Sequence, residues 1–233
     1  MSGYLLLEGG AEFGGQMNLP DQKALDLAGG LNAPVRIIPT AAAPDNNALR
    51  AGQNGVRWFR HLGATDVQAL NLIDKISANN LSLAEDLRKA KLIYLLGGFT
   101  HYLGQTLKNS ICWEAVLDAF KNGAVIAGSS AGAMVMCQHY FDPGQGDVFE
   151  GLNLIPNSLV LPHHNTFGKG WAARLSSLLP GVTLLGIDER TGMLSSRTGN
   201  HTVVEWSILG AGSVTIYHDG KREHIPAGEK FVL

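Results

Sequence analysis

At 233 residues, with 45% hydrophobic and 16% charged residues, the chain can build the core of one large α/β domain or two small ones. The net charge is -2 and no Lys/Arg cluster exceeds a few residues, which gives no reason to expect a nucleic-acid partner. Cys112 and Cys137 show neither metal spacing nor a disulfide framework, the N-terminus lacks the regions of a signal peptide, and no apolar run approaches a membrane span, so the expectation is a cytoplasmic protein without membrane association.

Short apolar runs alternate with helical patterns along the first 140 residues. Strands are expected at Tyr4–Leu7, Val35–Ile38, Val67–Leu72, Leu92–Leu96 and Val125–Ala127. Helices are expected at Gln22–Ala28, Ala48–Leu62, Leu83–Ala90, Thr106–Asn122 and Ala131–His139. Buried strands alternating with helices imply a mostly parallel sheet of βαβ units. The pattern continues with Leu159–Leu161, a helix at Trp171–Leu179, and Thr183–Ile187. From Gly192 to Leu233 polar and apolar residues alternate, with turn signals at Thr198-Gly199-Asn200, His218-Asp219-Gly220 and Ala227-Gly228. Val214–Tyr217 before Asp219-Gly220 reads as a hairpin. The tail, 192–233, is therefore expected as antiparallel strands extending one edge of the sheet, within a single domain spanning 1–233. No repeat and no linker is visible.

Ligands of such sheets sit beyond the carboxyl ends of the strands. Gly9-Gly10, Thr40, Gly97-Gly98 and Ser130 all fall there. Gly128-Ser129-Ser130-Ala131-Gly132 is a Gly-x-Ser-x-Gly at a strand-to-helix junction. A sharp turn at that point lifts Ser130 out of the sheet and presents its hydroxyl as a nucleophile. An ordinary βα turn with a serine N-cap is the plainer alternative. A serine nucleophile needs a base. Among the eight histidines, those at 61, 139, 201, 218 and 224 fall in helices or in the β-rich tail. His101 can approach the site edge. His163 and His164 follow a strand, and adjacent residues there face opposite ways, so one of the two is expected to point at Ser130. Asp188 and Glu189 close the strand Leu184–Ile187, where a carboxylate can orient the imidazole. The amides of Gly98 and Ala131 are placed for an oxyanion hole. The order serine, histidine, acid differs from that of α/β-hydrolases. No Gly-x-Gly-x-x-Gly, no Walker motif and no metal-ligand cluster occurs, so neither cofactor nor metal is expected.

These residues resemble a known group. Ala127-Gly128-Ser129-Ser130-Ala131-Gly132-Ala133, Gly97-Gly98-Phe99-Thr100, Pro162-His163 and Gly186-Ile187-Asp188-Glu189-Arg190-Thr191 are similar to motifs of the peptidase E and cyanophycinase family. Leu6-Leu7-Glu8-Gly9-Gly10 and Ile38-Pro39-Thr40-Ala41-Ala42-Ala43 are similar too. The resemblance implies the flavodoxin-like three-layer α/β sandwich of class I glutamine amidotransferases, with serine in place of cysteine at the elbow. It implies a serine hydrolase with the triad Ser130, His163 and Glu189 and the oxyanion donors Gly98 and Ala131. Glu189 is chosen because the family motif ends Asp-Glu, and His163 because it follows Pro162. A small peptide or isopeptide substrate, aspartyl or β-aspartyl among them, and a homodimer are further implications. Thr100, His101, His164 and Lys169, at or beside the same strand ends, are the expected substrate-binding residues, with Arg174 a second cation for a substrate carboxylate. Where cyanophycinases carry Asp-Gln before the histidine and arginines after it, this chain has Leu161-Pro162 and Asn165–Trp171. A non-catalytic binding member of the same fold is the alternative function. An amidotransferase is disfavoured, because Cys112 and Cys137 are expected in helices away from the elbow.

Overall fold

The computed structural model describes residues 3–196 and 204–233. The turn signal at 198–200 and His201 lie outside them. Fourteen strands are present among the described residues: β1 Tyr4–Glu8, β2 Val35–Ile38, β3 Val67–Ala69, β4 Leu92–Leu95, β5 Val125–Ser129, β6 His139–Asp142, β7 Asp147–Glu150, β8 Ser158–Leu161, β9 Thr183–Ile187, β10 Thr191–Ser195, β11 Glu205–Gly210, β12 Ser213–His218, β13 Lys221–Pro226 and β14 Lys230–Val232. The α-helices are α1 Asn18–Leu27, α2 Ala48–His61, α3 Leu81–Lys89, α4 Thr100–Leu107, α5 Ile111–Lys121, α6 Ala131–Met136 and α7 Ala172–Leu178.

The large sheet has the order β14-β11-β10-β1-β5-β4-β2-β3. Its pairs from β1 to β3 are parallel, as the buried apolar runs imply. One face packs Leu6, Ile37, Tyr94 and Ala127 against Leu25 of α1 and Phe59 of α2. The other packs Leu5, Leu7, Ile93 and Ile126 with Leu87, Leu103, Val116 and Val135 of α3 to α6. Period-2 alternation of a buried strand thus feeds two apolar layers, and the result is a mixed α/β sandwich with a large central sheet.

Three expectations need correction. The helix read over Thr106–Asn122 is two helices: Asn109 adopts a left-handed φ of 55° and the Ser110 hydroxyl caps α5 by accepting from Trp113 N at 3.1 Å. The helix after the elbow stops at Met136, so Cys137 is not helical; it forms an isolated bridge to Ile155, and a β6–β7 hairpin follows. The tail does not extend a single edge. Strands β10, β11 and β14 add to the large sheet, whereas β12 and β13 join β9 and β8 in a second sheet, β13-β12-β9-β8. The switch falls at Ala211-Gly212, where a Cβ on Gly212 would stand 2.6 Å from Thr191 Oγ1. The hairpin β12–β13 turns through Asp219 and Gly220, at φ 48° and 74°, the left-handed pair that a two-residue turn requires.

Candidate active site

The carboxyl ends of β1, β5 and β4 lie side by side, and each contributes. Beyond β5, Ser130 has φ 49° and ψ −111°, a conformation that costs roughly 1–3 kcal/mol and that surrounding structure must enforce. Close packing enforces it here. A Cβ on Gly128 would stand 2.6 Å from Gly132 C, and one on Gly132 would stand 2.2 Å from Leu95 O. Helix α6 therefore starts hard against β4 and β5. Ser130 N donates to Glu8 O at 3.0 Å, which ties the elbow to β1.

The same end of β1 gathers the other groups. His163 N donates to Gly9 O at 2.7 Å and Arg190 N to Gly10 O at 3.2 Å. A Cβ on Gly10 would stand 2.3 Å from His163 Cε1, so only glycine leaves room for the ring. His163 follows β8 with a left-handed φ of 49°, which swings it toward Ser130. Its Nε2 lies 3.1 Å from Ser130 Oγ and its Nδ1 2.8 Å from Glu189 Oε1. The carboxylate can only accept, so Nδ1 carries the proton and Nε2 presents a lone pair to the serine hydroxyl. Asn165 Oδ1 accepts from Glu189 N at 3.0 Å, and Phe167 stacks on the His163 ring at 4.8 Å.

On the opposite flank of Ser130, Gly98 has φ 137°, and a Cβ there would stand 2.4 Å from Ala41 O. That packing fixes the Gly97-Gly98 turn beside the elbow. Ala131, the first residue of α6, is fully buried.

The other candidate residues have partners of their own or stand exposed. His164 is buried, its Nε2 2.9 Å from Tyr217 Oη and its Nδ1 3.4 Å from Asp188 Oδ1. Burial pushes its imidazole below the ordinary pKa, with Asp188 opposing. Asp188 Oδ2 accepts from Ser213 N and Oγ at 3.0 and 2.7 Å, so it braces β12 instead of His163. Thr100 is buried with Oγ1 3.7 Å from Met134 Sδ. His101 Nδ1 lies 3.1 Å from Tyr140 OH and its ring 4.2 Å from Phe149. Lys169 is exposed on the turn Gly168–Trp171, past Phe167; Arg174 donates to Gly146 O at 2.7 Å.

Beneath the site lies a polar group that the sequence did not announce. Glu8 and Asp21 are both fully buried. Tyr94 donates its hydroxyl to Glu8 Oε2, and Trp58 Nε1 donates to Asp21 Oδ2 at 2.8 Å. Among the described residues Glu8 Oε1 and Asp21 Oδ1 find no donor, and a proton on one carboxyl can bond to the other. Burial, followed by the Asp21 charge, pushes Glu8 well above the usual carboxylate range. Burial pushes Asp21 up to about 7, with the Trp58 bond opposing. A raised carboxyl pKa stabilises the fold at low pH and withdraws that stability as pH rises through the folded value. The thermal midpoint is therefore expected to be higher at about pH 5.5 than at about pH 8.5, and the gap to shrink in Asp21→Asn. Melting both proteins at the two pH values checks this; an unchanged gap in the variant would rule it out.

Fold and site together define the class: an α/β protein whose strand-to-helix elbow carries a Ser-His-Glu hydrogen-bonded chain. The model of peptidase family S51 matches residues 5–201, and the chain belongs to that family. It is 31% identical over 209 residues to a cyanophycinase of Geminocystis herdmanii, covering 84% of this chain and 73% of that protein. An uncharacterized peptidase of Pasteurella multocida is 30% identical over 157 residues, covering 61% of this chain and 71% of its own. A crystal structure of a peptidase from an acI-B1 Actinobacterium superposes with a TM-score of 0.88 at 29% identity, over 100% of this chain and 98% of that one. A putative peptidase E of Listeria monocytogenes shares the fold at TM-score 0.62 and 19% identity, over 94% of this chain and 99% of its own.

Proposed function

We propose that the protein is a serine hydrolase that cleaves a peptide or isopeptide bond of a small substrate, aspartyl and β-aspartyl bonds among them. The observation that carries this reading is the chain Ser130 Oγ, His163 Nε2, His163 Nδ1, Glu189 Oε1, with spacings of 3.1 and 2.8 Å. Membership of a peptidase family and the cyanophycinase relative support the bond type.

In the first step Ser130 Oγ attacks the scissile carbonyl while His163 Nε2 takes its proton. Glu189 keeps the proton on Nδ1 and stabilises the imidazolium. The carbonyl oxygen gains negative charge and is held by the amides of Gly98 and Ala131, each such donor being worth about 3–4 kcal/mol of barrier. Collapse expels the amine, which leaves with the proton from Nε2. Water, deprotonated by the same nitrogen, then releases the acyl group and restores the serine.

A fluorophosphonate tests the nucleophile directly. It is expected to modify one serine, mapped by peptide mass spectrometry to Ser130. Folded protein that stays unmodified there would overturn the proposal.

A further inference from the structure

The segment that follows His163 folds back over its own imidazole. His163 O accepts from Thr166 N, Thr166 Oγ1 and Gly168 N, each at 3.0 Å, and Asn165 Oδ1 ties the same turn to Glu189 N. A Cβ on Gly168 would stand 1.9 Å from Pro162 O, so the turn closes only with glycine there. These contacts lay Phe167 on the base, with ring centroids 4.8 Å apart and planes 24° from parallel. Trp171 meets the Phe167 ring at 5.5 Å and 61°, and Phe141 of β6 backs Trp171 at 5.1 Å. Arg174 lies over Phe141 at 5.6 Å while it donates to Gly146 O in the β6–β7 turn. An aromatic wall braced by a hairpin thus stands beside His163. Phe167, its innermost member, is nonetheless 56% exposed.

The proton transfer tells which half of a substrate meets that wall. His163 Nε2 gives its proton to the departing amine, which must come within about 2.6–3.2 Å of it. The Cβ of the residue that carries this amine is two bonds from the nitrogen. It therefore enters beside the imidazole, next to the ring stacked on that imidazole. An apolar side chain arriving there takes its own surface and that of Phe167 out of water together, at roughly 25 cal/mol per Å². A second aromatic ring adds offset or edge-to-face pairing. The wall is already in place, so little ordering is needed when the side chain docks. A glycine at that position leaves the Phe167 ring in water.

We infer that Phe167 forms the leaving-side subsite and selects substrates whose amine half begins with an apolar residue, an aromatic one above all. The inference rests on the Ser130, His163 and Glu189 reading above and concerns the half of the substrate that departs. A ring that only covered the imidazole would change the reactivity of every substrate alike. A ring that binds the leaving side chain changes the ratio between substrates that differ at that side chain and nowhere else.

Paired dipeptides separate these roles. Each pair shares one acyl residue, aspartyl, β-aspartyl or alanyl, and carries either glycine or phenylalanine as the leaving residue. The phenylalanine member is expected to have a kcat/KM about ten-fold higher or more, equivalent to about 1.4 kcal/mol. In Phe167→Ala the two members are expected to come within about two-fold of each other, and in Phe167→Tyr the preference is expected to return. The ratio is taken within each protein, so a general loss of reactivity from uncovering His163 cancels. Equal values in the unaltered protein, cleavage of glycine members alone, or a preference that survives in Phe167→Ala overturn the inference. A fluorophosphonate keeps the two readings apart, because fluoride departs from it and no side chain enters the leaving side. If it modifies Ser130 while no pair is cleaved, the leaving-side assignment falls and the nucleophile stands. If it fails to modify Ser130, the nucleophile assignment falls and this inference with it.

Discussion

Ser130→Ala is expected to reduce turnover of any small peptide or isopeptide substrate by roughly 10⁴-fold or more, because no step of the acyl transfer proceeds without the nucleophile. The fold is expected to survive. The change deletes one half-buried oxygen and keeps the backbone that Gly128, Gly132 and Glu8 O hold in place. Alanine carries the same left-handed strain at φ 49° as serine, so the substitution adds none. Among the described residues the oxygen's one protein partner is His163 Nε2 at 3.1 Å, and water replaces it. Steady-state kcat on a panel of free dipeptides and isopeptides, beside thermal melts of both proteins, separates the two effects. A variant that melts normally and keeps activity within ten-fold of the unaltered protein would show that another group attacks the bond.

The elbow was legible because its chemistry is local. Gly-x-Ser-x-Gly between a strand and a helix has few structural solutions, and the contacts of Gly128 and Gly132 are the solution found. His163 and Glu189 were legible as strand-end residues, and Pro162 before the histidine together with the family motif chose them over His164 and Asp188. The structure supplies the physical distinction. The positive φ at His163 places it on the Ser130 side, while His164 turns under β12. Other features depend on contacts distant in sequence. Gly9 and Gly10 read only as a strand end and a failed dinucleotide motif; their role as the point where His163 and Arg190 attach needs β8 and β10 in place. A period-2 pattern reveals that the tail contains strands but not which sheet each one joins, so the division of β11 and β12 between two sheets was hidden. Glu8 and Asp21 carry no sign of burial, since a strand-end glutamate and a helical aspartate ordinarily meet water. Their signal is the pair of donors opposite, Tyr94 and Trp58, visible only once packed.

Glu189→Gln is expected to lower kcat by about 10²–10⁴-fold with little change in KM, because the residue touches the base and not the substrate. Glu189 Oε1 lies 2.8 Å from His163 Nδ1 with its side chain 29% exposed. Its contribution is therefore not a deeply buried ion pair but a choice of tautomer. The carboxylate accepts from Nδ1–H and leaves Nε2 free to take the serine proton. A glutamine that presents its amide nitrogen donates to Nδ1 instead, which puts the proton on Nε2 and removes the base. A glutamine that presents its oxygen keeps the tautomer but loses the charge that steadies the imidazolium. Either outcome weakens proton transfer and spares binding. Because the two residues act in one step, Ser130→Ala with Glu189→Gln is expected to be no slower than Ser130→Ala alone. Full additivity in that cycle, or a loss confined to KM, would make Glu189 a structural neighbour of His163 and not its partner in catalysis.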